Sequence, residues 1–210
     1  MLYCTPMIES LLSGRKTQTR RVVSAKNSIC SQKFESFNSF LIGEVTKKLM
    51  GTNDEWVDVI EPKIKVGDYI WVKETWQETT WLHPSDEQHG YIYKASEGGK
   101  EWQDSEGWKW KPSLFMPKCA CRLWLKVTNV RAERLQDISE DDAIAEGVDL
   151  DFFNGNAWYF DYLNRDYSTC SPCVSYRSLW CKINGLDSWN KNPFVWVYDF
   201  KLVECPHGFR

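Results

Sequence analysis

Between Leu11 and Val23 the chain reads LLSGRKTQTRRVV. Five groups that handle anions or protons, Arg15, Lys16, Thr19, Arg20 and Arg21, come after a single glycine, Gly14, with Thr17 and Gln18 among them as further donors and acceptors. Arginine presents a planar fork that fits phosphate or an oxyanion, and backbone N–H groups released behind Gly14 would add to it. A lysine that is neutral for part of the time is a base, and a threonine hydroxyl beside it is a nucleophile in waiting. The bland alternative is a solvated basic loop, in which none of these groups touches a ligand.

The element that must position this stretch is the segment before it. Residues 2–13 predict a short strand or turn leading into a helix, with Thr5 as N-cap and Pro6 in the first position. The apolar run around Met7, Ile8, Leu11 and Leu12 ends at Gly14, where a left-handed residue stops a helix. Downstream, strands are expected at 56–62, Tyr69–Trp76, Gly90–Ala95, Arg122–Val130 (continuing towards Leu135) and Pro193–Val203, from their alternation. Pro112–Pro117 reads as extended. Ser139 suits an N-cap with Asp142 in the reciprocal place and Gly147 as the stop, so a helix lies between them. Val174–Ile183 has helical spacing with Val174, Leu179, Trp180 and Ile183 near one face, and Asn184-Gly185 closes it. Polar 24–62 (with a short helix near 39–49), loop-rich 77–117 and aromatic 149–173 read as insertions in one domain spanning 1–210. Scattered, mostly antiparallel strands with about three helices argue for an α+β chain, a small twisted barrel flanked by helices.

Composition narrows the function classes. The 210 residues carry a net charge of −3, yet residues 1–26 hold five Lys/Arg against Glu9 alone, a local +4 that leaves −7 for the remainder. A basic focus on an acidic body suits one localised anionic ligand and excludes a histone-like binder of duplex DNA. No apolar run reaches membrane-span length. The first residues have neither a basic nor an apolar leader pattern, so a cytoplasmic location is expected.

Twelve tryptophans are available for cores and for stacking on flat ligands. Trp71, Trp76, Trp124 and Trp196 fall in strands and suit a core, whereas Trp81, Trp102, Trp108 and Trp110 lie where a base could stack or where an insert docks. Trp76, which ends its strand, and Trp81, in the loop-rich segment after it, are the two also carried as candidate ligand contacts. Among eight cysteines, Cys170-Ser171-Pro172-Cys173 is a C-x-x-C, with Cys119, Cys121, Cys205 and His207 as further donors. The reading taken is buried thiols with no metal or other cofactor; the alternative, a structural zinc, would take Cys170 and Cys173 first.

Three segments together resemble the ASCH domain, a member of the PUA-like barrel superfamily: LLSGRKTQTRR (11–21), VGDYIWVKETW (66–76) and LWLKVTNVRAERLQDISEDDAIAEGV (123–148). VWVYDFKL (195–202) is similar to that family's closing strand, and FMPKCACR with SLWCKINGLDSWNKNPFVWVYDF resembles a phage and prophage subgroup. The resemblance implies a compact barrel with a cleft against helices, and RNA, nucleoside or modified-nucleotide partners. It also implies kinship with small amidohydrolases that remove acetyl from N4-acetylcytidine using a lysine, a threonine and a glutamate. Those fall here at Lys16, Thr19 and Glu146. Lys16 would deprotonate Thr19 or a water, and Glu146 would orient the amine or protonate the leaving nitrogen. Arg15, Arg20 and Arg21 would hold phosphate. The rivals are a non-catalytic PUA-like RNA-binding module and a metal-independent ribonuclease using the same basic cleft.

Overall fold

A computed structural model describes residues 3–23, 62–79, 90–96 and 109–208. The helix expected near 39–49, the strand at 56–62 apart from Pro62, and Trp81, Trp102 and Trp108 lie outside the described residues.

Helix α1 (Thr5–Leu12) starts one residue earlier than expected, with Cys4 as its extended N-cap and Pro6 in the first turn. It buries Ile8, Ser10 and Leu11 and ends where Gly14 takes φ +75°. The basic stretch beyond Gly14 is not a loop. After Lys16 and Thr17 the chain enters strand β1 (Gln18–Val22), whose first three residues are all buried. Four polar side chains in five residues carry no strand signal, so tertiary pairing overrides propensity here.

The main sheet also contains β2 (Tyr69–Trp71), β5 (Trp124–Arg134) and β9 (Phe194–Val203), in the order β1-β9-β5-β2 with every pairing antiparallel. It curls into a half-barrel, helped by a bulge in β5 between Val127 and Asn129. Strand period separates its two faces. Trp196, Tyr198 and Phe200 of β9 pack with α1, Ile70, Val72 and Leu125 in one core. Val195 and Val197 face a second core, built from helix α2 (Glu140–Ala145), helix α3 (Pro172–Asn184) and Tyr159 and Tyr162.

The expected strand 69–76 divides. Its alternation is real, since Ile70, Val72, Glu74 and Trp76 are all buried. The pairing changes partway: β2 joins β5, whereas β3 (Trp76–Thr79) pairs with β4 (Gly90–Tyr93) in a separate two-stranded sheet. Pro112–Pro117 is not extended throughout but contains a 3₁₀ turn at Ser113–Phe115.

Residues 150–169, within the aromatic insertion expected at 149–173, form a meander of β6 (Leu150–Phe153), β7 (Asn156–Asp161) and β8 (Asp166–Thr169). Its first turn is Asn154-Gly155 with φ of 51° and 77°, the conformation that Asn-Gly adopts most readily between two strands. Under the meander, α3 turns Ser175, Tyr176, Ser178, Leu179 and Trp180 inward. Ser175 Oγ donates to Phe160 O at 2.6 Å and Ser178 Oγ accepts from Tyr162 N at 2.8 Å. Val174 and Ile183, expected on the buried face, are exposed because the hydroxyl-bearing face docks instead. None of the described helices is long and apolar enough to cross a membrane.

Candidate active site

Lys16 and Glu146, 130 positions apart, meet. Two short backbone links bring them together: Lys16 N donates to Ser10 O at 2.9 Å, and Thr17 N to Ala145 O at 2.8 Å. The end of α2 is thereby clamped against the turn after α1. Gly147 makes the approach possible. It has φ +84°, and a Cβ there would lie 2.7 Å from Ser10 Oγ and 2.8 Å from Lys16 Cβ. Helix α2 itself is set by its cap, with Asp142 N donating to Ser139 Oγ at 3.1 Å. The Asp142 carboxylate does not complete a reciprocal box, because it is engaged elsewhere.

Lys16 Nζ donates to Glu146 Oε2 at 2.7 Å, to Glu146 O at 2.7 Å and to Gln18 O at 2.9 Å. All three ammonium protons therefore have acceptors, and the side chain is fully enclosed. Burial pulls the amine below its ordinary value of 10.5, while the charge and hydrogen bond of Glu146 act in the opposite direction. The two groups face each other across 2.7 Å, both enclosed by the protein.

Around it lies a larger polar layer between the sheet and α2. In β1 the register puts Gln18 opposite Asp199 and Arg20 opposite Val197, on the face towards α2 and α3. The Arg20 guanidinium donates to Glu133 Oε1 at 2.6 and 3.0 Å, to Asp142 Oδ2 at 3.0 Å and to Glu146 Oε1 at 3.3 Å, and its NH1 also reaches Gln18 Oε1 at 2.5 Å. Its carbon stands 5.7 Å from the Tyr176 ring centre. Arg131 binds Asp142, Asp199 and Glu133 at 2.7, 3.2 and 3.1 Å. Gln18 Nε2 donates to both Asp142 and Asp199, at 2.9 and 2.6 Å. Burial alone would raise the Asp142 carboxyl; the Gln18 hydrogen bond with the Arg131 and Arg20 charges outweighs it and holds the group below its usual range.

Thr19 lies on the opposite face of β1, across from Tyr198. There its hydroxyl shares a hydrogen bond with Tyr3, whose phenol burial pushes up to about 12. The Tyr3 ring is 5.9 Å from Lys16 Nζ and 5.6 Å from the Arg21 guanidinium carbon. Tyr3 thus neighbours both the lysine and the threonine. Sequence reasoning misses it, because a lone tyrosine near the start of the chain belongs to no motif.

The three arginines sit in different surroundings. Arg20, expected at a phosphate, has a guanidinium wholly buried among carboxylates that complete its donors. Arg15 is exposed and donates to Asp149 at 2.9 Å. Arg21 is half-buried over Tyr3. The amides of Lys16 and Thr17 already have carbonyl acceptors, so they form no anion cradle. Acids distant in sequence (Glu133, Asp142, Glu146, Asp149) pair with three of the five cations behind the local +4, Arg15, Lys16 and Arg20. Trp76 is not presented for stacking either; it is enclosed by Met116 and Ala120 with Tyr91 edge-on at 5.7 Å. Trp81 lies outside the described residues. Cys170 is exposed and Cys173 half-buried, and among the described residues no three His, Cys, Asp or Glu side chains are placed to hold a metal ion.

Comparison of the chain with protein-family models, with curated proteins and with solved structures finds no match.

Proposed function

We propose that this chain is an ASCH-type amidohydrolase on a PUA-like barrel, and that it removes the acyl group from a modified nucleobase such as N4-acetylcytidine. The observation that carries the reading is the 2.7 Å contact between Lys16 Nζ and Glu146 Oε2 inside the protein. Two groups that can exchange a proton are held in register by Gly147, far more closely than their sequence separation alone would bring them.

In the reaction, Glu146 takes a proton from Lys16, which burial already biases towards the neutral amine. The amine then accepts the proton of the attacking oxygen, either Thr19 Oγ or a water that it holds. Tyr3, bonded to Thr19 and kept protonated by its raised pKa, steadies that hydroxyl. Glu146 returns its proton to the exocyclic nitrogen as the C–N bond breaks. Where Thr19 Oγ attacks, one water then hydrolyses the acyl ester it forms and frees the hydroxyl; where water attacks, the carboxylate forms directly, so by either route one amide and one water give a free amine and a carboxylate. Arg20 takes no direct part in binding; it holds the second oxygen of Glu146 at 3.3 Å and so fixes the carboxylate's orientation.

The rival reading is a non-catalytic module for RNA or a modified nucleotide. It is favoured by the hydrogen-bond partners that Lys16, Thr19 and Arg20 all have within the protein, as structural residues do. Incubation of the purified chain with N4-acetylcytidine, free and within an RNA oligomer, separates the two. Release of cytidine and acetate is expected, with a loss of about 10²–10⁴-fold in Lys16→Met and Thr19→Ala. Equal turnover by wild type and both variants, or ligand binding with no acetate released, would reject the enzyme.

A further inference from the structure

The C-x-x-C at the start of α3 joins one exposed thiol to one half-buried thiol. Cys170 is exposed just before the N-cap Ser171, and Cys173 is half-buried in the first turn with Pro172 between them in sequence and helix. Thr169 Oγ1 accepts from Ser171 N at 3.1 Å, which turns the chain tightly at this point. Cys170 is exposed and Cys173 is sheltered three residues later, with Ser171 at φ −105° and ψ 121° between them. Both are free thiols. Cys173 Sγ lies 3.6 Å from Ile138 O as a donor, and Ile138 immediately precedes the Ser139 cap of α2. The inner thiol is therefore a tie between α3 and the helix that ends in Glu146.

We propose that Cys170 and Cys173 are a redox-active dithiol, modified by low-molecular-weight disulfides, whose oxidation releases the tie to α2. The Cys170 thiolate attacks one sulfur of the small disulfide, forming a mixed disulfide and expelling one thiolate. Cys173, deprotonated by solvent, then attacks Cys170 Sγ, forming the internal S–S bond and expelling the second. Two protein thiols are oxidised to one disulfide, and one small disulfide is reduced to two thiols. Cys173 loses its S–H, so Ile138 O loses that donor. The segment 138–146 is expected to exchange its amide hydrogens faster in the oxidised protein.

The test equilibrates the full chain in reduced and oxidised glutathione mixtures with a chelator present, then alkylates free thiols and maps peptides by mass. The expected result is a Cys170–Cys173 disulfide whose oxidised-to-reduced ratio changes tenfold for each ~30 mV of poise. Cys173→Ser should hold a lasting glutathione adduct on Cys170, and Cys170→Ser should leave Cys173 reduced. Faster exchange across 138–146 should accompany oxidation in the wild type only. The proposal is overturned if a glutathione adduct persists on wild-type Cys170 with Cys173 free, if Cys170 pairs with another cysteine, or if exchange across 138–146 is unchanged. None of these readings depends on amidase activity.

Discussion

Among the described residues, two buried ionic arrangements can be set side by side, and they differ in kind. At the join with the small β3–β4 sheet, Glu74 accepts from Arg122 Nε and NH2, both at 2.8 Å. The third guanidinium nitrogen donates to Ser96 at 3.0 Å, and the group stacks on Tyr93 at 4.2 Å. That pair is closed: one acid, one base, and a cation that does not deprotonate. The layer beneath α2 instead joins Lys16, Arg20 and Arg131 to Glu133, Asp142, Glu146 and Asp199. Three cations against four carboxylates, one of the cations a lysine, can change protonation state. A paired, inert salt bridge is structural; a shared, titratable one can do chemistry.

Breaking each arrangement should expose the difference. Arg122→Met strands Glu74, which is 1% exposed, without its bidentate partner and should cost about 3–5 kcal/mol in denaturant unfolding. Lys16→Met leaves Glu146 still bonded to Arg20 and should cost less, about 2–3 kcal/mol, while removing activity. A larger stability loss in Lys16→Met than in Arg122→Met would show that the cluster has no redundancy.

Glycines sharpen the contrast further. Gly147→Ala places a Cβ against Ser10 and Lys16 and should cost about 1–3 kcal/mol, with lowered turnover because Lys16 is displaced. Gly155→Ala has a similar backbone, φ +77°, but open space around it, so about 1 kcal/mol and unchanged turnover are expected. Thermal melts with parallel acetate assays would check both; equal effects would deny the close approach any special role.

The smallest effects are those of pH. Between the lowered Lys16 value and 10.5 the native chain binds fewer protons than the unfolded one, so stability should rise with pH through that window. Asp142 behaves in the acid range: its contribution is full above 3.8 and is lost as pH falls through its lower folded value. Denaturant titrations of Lys16→Met and Asp142→Asn should lose the basic and the acidic slope respectively.

How far the sequence reveals these two regions depends on how local their causes are. Gly14, the Ser139 cap, Gly147 and the long strands β5 and β9 act through neighbours in the chain, and all are readable there. The strand β1 is not, because Gln18, Thr19 and Arg20 become buriable only once Glu133, Asp142, Asp199 and Tyr3 arrive from elsewhere. Glu74 occupies an inward position in a clear alternation, yet its partner Arg122 lies 48 residues on. The Asn154-Gly155 turn carries a hairpin signal, masked by Phe152 and Phe153, which are both exposed and break the alternation around it. The meeting of Lys16 with Glu146 is suggested by family resemblance, and no spacing rule on this chain would supply it.

The most direct test of the coupling between Lys16 and Glu146 is a pH titration of the Lys16 side-chain nitrogen by NMR, in the wild type and in Glu146→Gln. The lysine midpoint should lie below 10.5 and fall further in the variant, because the charge that raises it has gone. A midpoint at or above 10.5, or one that rises when Glu146 is neutralised, would contradict the account.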